Sequence, residues 1–173
     1  MAIYHFSVKT ISRSAGRSAV ACSAYRSGEK LIDERQGKEQ DYTRKTGVEF
    51  TKIYAPENTN PELLDRNQLW NTVEKVERRK DANLAREFEI AFPHELNAEQ
   101  RQSMLNEICQ ELVKRHGVVV DAAIHAPHTP KAEVMNVIIT LISCLQVAKS
   151  TSKQVILLKK EIGILIKKIL VRP

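Results

Sequence analysis

The sequence predicts an α+β or α/β sandwich, in which helices cover a β-sheet. Along the first 133 residues, segments with the alternating pattern of strands take turns with segments of helical periodicity. The composition fits one ordinary domain, since 42% of the 173 residues are hydrophobic and 28% are charged. A chain of this length folds without a metal or disulfide staple, so stability alone explains no special residue.

The first half of the chain contains two predicted strands and two predicted helices. Ala2 to Val8 is rich in β-branched and aromatic residues, as in a strand, and a helix of small residues follows from about Arg17 to Lys30. Residues 33–46 are highly charged and indicate a loop or an exposed hairpin. Val48 to Tyr54 alternates apolar and polar residues and predicts a strand with one wet face. Apolar residues at helical spacing then predict a helix from about Pro61 to Arg79.

The second half adds two strands around a long helix. Ala85 to Phe92 alternates again, with large apolar residues on one face and the carboxylates Glu87 and Glu89 on the other. Asn97 to His116 has an N-cap residue and a periodic apolar stripe, which predict a helix. Val118 to His125 is a continuous apolar run, typical of a central strand.

The charge distribution divides the chain near residue 133. Residues 1–133 contain 20 basic and 20 acidic side chains, whereas residues 134–173 contain seven basic and one acidic, so the tail supplies the net charge of +6. No aromatic residue follows Glu133, and Ile, Leu and Lys dominate. We therefore predict a domain over 1–133 and an atypical tail over 134–173. The basic amphipathic pattern of residues 155–171 would suit a helix that binds a membrane surface or a partner protein.

Several features exclude other classes of protein. Met1 to Phe6 lacks the regions of a secretory signal peptide, and the longest apolar run, Val137 to Cys144, is too short to span a bilayer. We expect a cytoplasmic protein without a membrane span. The three cysteines are far apart, which indicates neither a disulfide framework nor a zinc site. The sequence also has no Walker or GxGxxG glycine pattern for binding nucleotides.

The first 28 residues form an anion-facing segment that includes a tyrosine. The segment has no acidic residue and contains four cations, Lys9, Arg13, Arg17 and Arg26. Tyr25 would lie beside a bound phosphate here, although a lone tyrosine on a helix is more often a packing residue. Attack by its phenol needs a base or a metal, for which Glu87, Glu89 and His125 are candidates. Alternating glutamates are usually a solvated strand face, and one histidine is a single metal ligand.

The segment AIYHFSVKTISRSAGRSAVACSAYRSGEKL resembles the first motif of the MobA/MobL family of plasmid conjugative relaxases. It combines a YH strand, an SRSxGxSA turn and helix, and AYRSGxxL, and AREFEIAFPHEL and DAAIHAP follow in the family's order. The resemblance covers about residues 1–132. It implies an α+β fold of the His-hydrophobe-His endonuclease type, with a sheet of mainly antiparallel strands covered by helices and incomplete at its C-terminal end.

The resemblance also implies an activity, which is site- and strand-specific nicking of plasmid DNA at a transfer origin during conjugative mobilisation. Tyr25 would be the nucleophile that becomes joined to the 5′ phosphate, and Glu87, with Glu89 beside it, would assist the tyrosine or the metal. His125 would be the first metal-binding histidine, and Mg²⁺ or Mn²⁺ would clamp the scissile phosphate. The DNA phosphates would be contacted by Lys9, Arg13, Arg17 and Arg26.

The partners implied by the resemblance are single-stranded or hairpin DNA at the transfer origin, accessory mobilisation proteins and a coupling protein of type IV secretion.

The chain departs from the family pattern after the DAAIH strand. Relaxases of this type continue into an Arg-Asn-x-His-Ala-His strand with two more metal histidines, whereas this chain has no histidine after His128. In the reading frame that starts at the last base of the Val134 codon, the bases that encode Met135 and Asn136 must encode Glu. The codon after it must encode Arg or Cys. From Val137 through Ile142 the same frame permits Asn-His-His-Ala-His. We therefore hypothesise a frameshift near Lys131 to Val134, which impairs the enzyme and leaves a non-enzymatic DNA-binding remnant as the alternative.

Overall fold

A computed structural model of the chain describes residues 6–93, 95–126 and 164, together with the backbone of residues 134–142. The beginning of the first predicted strand lies outside these residues. The same holds for the amphipathic pattern at 155–171, apart from Ile164, and for most of the hypothesised frameshift region. No helix in the described part of the chain has the length and hydropathy needed to cross a membrane.

The described residues form a five-stranded sheet with helices on both faces and a separate hairpin. The strands are β1 (Phe6–Ser12), β2 (Lys30–Asp33), β3 (Lys38–Asp41), β4 (Val48–Tyr54), β5 (Asn83–Pro93), β6 (Val120–His125) and β7 (Val134–Ile142). The helices are α1 (Ala19–Ser27), α2 (Arg66–Val76) and α3 (Ala98–His116). The large sheet has the order β1-β5-β7-β6-β4, and every pair in it is antiparallel. The α+β class with a mainly antiparallel sheet is therefore confirmed.

Helix α3 covers one face of the sheet. The Asn97 side chain accepts a hydrogen bond from the Gln100 backbone N–H, and the Gln100 side chain accepts one from the Asn97 backbone N–H. This capping box satisfies two donors that a helix N-terminus leaves open. The predicted apolar stripe of α3 packs against the large apolar residues of β5 in a core that includes Phe88, Ile90, Phe92, Met104, Leu105, Ile108 and Leu112.

Helices α1 and α2 cover the opposite face. Their buried residues form a second core with β1, which includes Ile11, Val20, Ala24, Leu69, Trp70 and Val73. Helix α1 begins at Ala19, two residues later than predicted. The hydroxyl of the preceding Ser18 caps it by accepting a hydrogen bond from the Ala21 backbone N–H. It ends at Gly28 with φ +67°, where a Cβ would lie 3.2 Å from the Val48 side chain. Glycine therefore lets the chain turn closely past β4.

Several predicted boundaries differ from the structure. The first strand continues to Ser12 rather than ending at Val8, and α1 ends at Ser27 rather than near Lys30, because Gly28 caps it and Lys30 begins β2. The helix expected over Pro61 to Arg79 is a short 3₁₀ turn at Pro61–Leu64 followed by α2, because the Asp65 carboxylate accepts a hydrogen bond from the Gln68 backbone N–H and caps a new helix. The charged segment 33–46 contains the second strand of the β2–β3 hairpin, one of the two predicted alternatives.

Strand β7 occupies the centre of the sheet, between β5 and β6. In its register Asn136 pairs with His125, and Ile138 pairs with Glu89. Because directly paired residues lie on one face of a sheet, positions 136 and 138 share the face of His125 and Glu89. The first nine residues of the Ile/Leu/Lys-rich tail thus supply the backbone of the central strand. The division of the chain at residue 133 remains a prediction.

Candidate functional site

A cleft of about 330 Å³ brings together most of the residues that the sequence singles out. They reach it from β1, α1, β5 and β6, on the sheet face that α1 and α2 cover. The cleft is lined by Lys9, Arg17, Cys22, Tyr25, Arg26, Lys45, Glu87, Glu89, His125 and Ala126. Tyr25, both glutamates and His125 therefore line one cleft, and their roles in a reaction remain a prediction.

The Tyr25 ring is exposed but held in place. Half of the residue is accessible, at 50% relative exposure. The Lys45 ammonium nitrogen lies 3.6 Å from the centroid of the ring, and the Tyr42 ring packs edge-on at 5.4 Å between centroids. Lys45 also donates a hydrogen bond of 2.7 Å to the Tyr25 backbone carbonyl. The phenol is thus open to a ligand while a cation covers part of its ring.

Each of the two glutamates in the cleft is paired with a cation. Glu87 is buried and accepts a 2.7 Å hydrogen bond from Arg26 Nη1, itself buried. Glu89 is more exposed and accepts one of 3.0 Å from Lys9 Nζ. Glu87 is therefore part of a buried ion pair rather than of a solvated strand face.

His125 lies buried at the end of β6, where it pairs with Val48 of β4 and Asn136 of β7. The sequence of β7, VMNVIITLI, contains no His, Cys, Asp or Glu. Among the described residues no group of three such side chains is placed to hold a metal ion. A catalytic divalent cation usually needs several carboxylate or imidazole ligands. The described residues therefore do not form a complete site of this kind.

Positive charge exceeds negative charge in the cleft. Four cations line it against two carboxylates, and both carboxylates are already paired. Within the described part of the chain, neither Arg17 nor Lys45 has an acidic partner within 4 Å. Burial, together with the nearby Arg26 guanidinium, lowers the pKa of Lys45. The cleft is electrostatically suited to an anion.

Arg13 lies outside the cleft. Its Nη2 forms an ion pair of 2.8 Å with the buried carboxylate of Glu74, and its two terminal nitrogens each donate a 3.0 Å hydrogen bond to the backbone carbonyls of Glu74 and Arg79. These contacts fix the turn before α1 to the end of α2. The expected contact of Arg13 with DNA stays a prediction, and the structure gives its guanidinium protein partners instead.

Three residues of the cleft were not predicted from the sequence: Cys22, Lys45 and Ala126. Cys22 precedes Tyr25 by three positions, a spacing that places both on one side of a helix, so the helix prediction contained this signal. Burial raises the pKa of the Cys22 thiol. Lys45 lies in a charged segment with no local pattern, and only the tertiary structure brings it to Tyr25.

The structure is that of an α+β protein, with a sheet covered by helices on both faces. It has an exposed tyrosine in a positively charged cleft. Its sequence places it more narrowly. The chain belongs to the MobA/MobL family, whose sequence model matches residues 17–161.

Named relatives agree with this membership. The chain is 49% identical over 129 residues to "Mobilization protein MobL" of Acidithiobacillus ferridurans, a match that covers 75% of this chain and 33% of that protein. It is 37% identical over 146 residues to "Conjugal transfer protein TraA" of Rhizobium radiobacter, with 78% of this chain and 13% of that protein covered. The chain thus spans a third or less of the length of these two relatives.

A solved structure has the same fold. It is titled "Molecular Basis of Vancomycin Resistance Transfer in Staphylococcus aureus" and superposes with a TM-score of 0.84 at 26% sequence identity. The match covers 98% of this chain and 93% of that one. The sheet-and-helix architecture described above is therefore one that an experimentally solved protein adopts.

Proposed function

We propose that this chain carries the DNA-nicking site of a conjugative mobilisation relaxase, which binds plasmid DNA at a transfer origin. The observation that carries the proposal is the cleft, where an exposed tyrosine, two glutamates and a histidine lie among an excess of cations. Family membership and the names of the relatives, which refer to mobilisation and conjugal transfer, support the same process.

In the proposed reaction the Tyr25 phenol oxygen attacks the phosphorus of one phosphodiester. The new bond joins that oxygen to phosphorus, the bond from phosphorus to the 3′ oxygen breaks, and the 5′ end stays attached to the tyrosine. Glu87 and Glu89 are the candidate acceptors of the phenol proton, and the departing 3′ oxygen takes up a proton. The cations of the cleft would stabilise the charge on the phosphate oxygens.

Membership of the family suggests dependence on a metal, with Mg²⁺ or Mn²⁺ as the expected ion. His125 is the residue of this chain that would bind it. Because β7 supplies no further ligand, we assign no step of the reaction to a metal, and we propose that nicking is impaired in this chain.

The frameshift hypothesis concerns the central strand β7. The alternative frame permits histidines across the codons of Ile138 to Ile142, all of which lie on this strand. Sequencing the coding DNA across Lys131 to Lys153 tests this. We expect a frame one nucleotide away to encode Arg-Asn-His-His-Ala-His, and the absence of that motif from all frames would contradict the hypothesis.

A non-enzymatic DNA-binding protein is the second candidate function. Two observations together favour it. The cleft has an excess of cations, and β7 has no metal ligands. Binding to single-stranded or hairpin DNA needs only the cations, and its affinity should fall steeply with salt.

An adduct assay separates the two functions. Labelled single-stranded oligonucleotides that tile the replicon carrying the coding sequence are incubated with the protein and run on a denaturing gel. An adduct that disappears in Tyr25→Phe and persists in Tyr54→Phe, a tyrosine in the core on the other sheet face, supports nicking. Equal binding by wild type and Tyr25→Phe without any adduct supports the DNA-binding protein, whereas no binding of any oligonucleotide contradicts both.

A further inference from the structure

A lysine outside the quoted family motifs lies against the tyrosine of the cleft. Lys45 belongs to the connection between β3 and β4, and its backbone N–H donates a 2.9 Å hydrogen bond to the Tyr42 carbonyl. Its ammonium group is placed by the Tyr25 ring and by the Tyr25 carbonyl. Both ends of this lysine are therefore fixed by neighbours, which reduces the entropy that it would lose on binding a ligand.

The charge of Lys45 is not neutralised by the described protein groups. Of the other three cations of the cleft, Lys9 is paired with Glu89 and Arg26 with Glu87, whereas Arg17 also lacks an acidic partner within the described part of the chain. An ammonium held only by a carbonyl oxygen and an aromatic ring keeps donor capacity for an anion. Its position next to Arg26 makes an anionic ligand more favourable still.

A buried arginine nitrogen points to the same kind of ligand. Arg26 is 4% exposed, and its Nη2 has no hydrogen-bond partner within the described part of the chain. Buried polar groups are nearly always satisfied, and Arg26 is one of the residues of the cleft, so a ligand there would supply the acceptor that this guanidinium N–H lacks. Phosphate oxygens are the acceptors that guanidinium and ammonium groups bind most readily.

We propose that Lys45, together with Nη2 of Arg26, binds a DNA phosphate beside the Tyr25 ring. This inference rests on the proposed function and adds to it the residue that holds the phosphate next to the nucleophile. Because side-chain cations make the contact, its contribution to binding does not require a divalent ion. The ligand class is a phosphodiester of single-stranded DNA, which can enter a cleft that is open at the surface.

The test is the binding of a fluorescein-labelled oligo(dT) to the whole chain, measured by anisotropy over a range of salt concentrations. Lys45→Met removes the charge and keeps the length of the side chain, whereas Lys45→Arg keeps the charge. Lys38→Met on β3 is the matched control, because Lys38 is exposed and lies outside the cleft. Circular dichroism and thermal melting confirm that each variant is folded before its binding is compared.

We expect Lys45→Met to weaken binding about tenfold at low salt, the loss of one charge-assisted contact. The slope of log affinity against log salt should become shallower by about 0.7, which is one phosphate of a single strand. Lys45→Arg and Lys38→Met should stay close to wild type, and EDTA should leave the difference between wild type and Lys45→Met unchanged.

Three results would overturn the inference, and they can be distinguished. If wild type binds the probe and folded Lys45→Met binds it with the same affinity and salt slope, Lys45 is not a phosphate ligand, while the proposed function stands. The same conclusion holds if Lys45→Arg is as weak as Lys45→Met, because the charge is then not what matters. If wild type binds no oligo(dT) at any salt concentration, the inference is overturned, whereas the proposed function is decided separately by the tiled oligonucleotides of the adduct assay.

Discussion

Replacing Asp121 by alanine will test the buried network that joins α1 and α2 to β6. Asp121 is 4% exposed, and its carboxylate accepts hydrogen bonds from Ser23 Oγ at 3.0 Å and from Trp70 Nε1 at 2.9 Å. It also accepts hydrogen bonds from Arg66, one of 3.0 Å from Nη2 and two of 3.1 and 3.2 Å from Nε. Although burial lowers the pKa of Arg66, the carboxylates of Asp121 and Glu29 raise it overall. The Arg66 guanidinium is therefore charged at neutral pH.

The expected loss is large because Asp121→Ala leaves a buried guanidinium without its main partner. Removal of one member of a buried ion pair costs about 3–5 kcal/mol. The whole stability of a domain is about 5–15 kcal/mol. Asp121→Asn keeps the shape and part of the accepting capacity, so a loss of about 2 kcal/mol is expected from weaker hydrogen bonds to Arg66. This milder variant keeps the test informative if the alanine variant does not fold.

Urea unfolding followed by tryptophan fluorescence is the assay. Trp70 is the single tryptophan of the chain, it is fully buried, and it donates directly to Asp121, so its emission reports the network itself. Asp81→Asn is the control, since Asp81 is exposed and a change there should stay within about 0.5 kcal/mol. Adding Arg66→Met to Asp121→Ala should restore part of the loss, because the buried charge is then gone. A loss below about 1 kcal/mol in Asp121→Ala would refute this reasoning.

Two further predictions concern α3 and the thiol of the cleft. Asn97→Ala removes the capping box and should destabilise the protein by about 1 kcal/mol, seen as a lower midpoint in thermal circular dichroism; an unchanged midpoint would contradict the role of the cap. Because burial raises the pKa of Cys22, its alkylation by iodoacetamide should be slow at pH 7 and rise about tenfold per pH unit through pH 9, since only the thiolate reacts. Peptide mass spectrometry measures that rate, and a rate that levels off below pH 8 would contradict the raised pKa. Bound single-stranded DNA should slow the same reaction if it occupies the cleft.

The elements predicted best are those whose bounds are determined by short-range signals in the sequence. Val48 to Tyr54 has the predicted bounds of β4, because alternation along a strand follows directly from its two faces. Helix α3 likewise matches its predicted range, since its cap, its stripe and its final glycine are all local signals. The helix expected over Pro61 to Arg79 was wrong in its start and end, because Asp65 caps a new helix within it.

The partners of charged residues could not be predicted from the sequence. Arg13 and Arg26 look alike in an acid-free segment, yet Arg13 is bound to Glu74, 61 positions away, and Arg26 is buried against Glu87. Lys45 has no pattern around it and still lies 3.6 Å from the centroid of the Tyr25 ring. Such contacts depend on how α1, α2 and the sheet pack together, which no window of the sequence encodes.

Strand β7 separates what the fold requires from what the chemistry requires. A strand between two neighbours needs backbone groups that pair on both edges and a sequence compatible with burial, and VMNVIITLI meets both needs. A metal site needs imidazoles or carboxylates at particular positions, and the same nine residues contain none. The sheet that positions Glu87 and His125 can therefore form without a complete ligand set. It follows that the proposed DNA binding and the proposed DNA cutting are separable, and the Lys45 and Tyr25 variants test them independently.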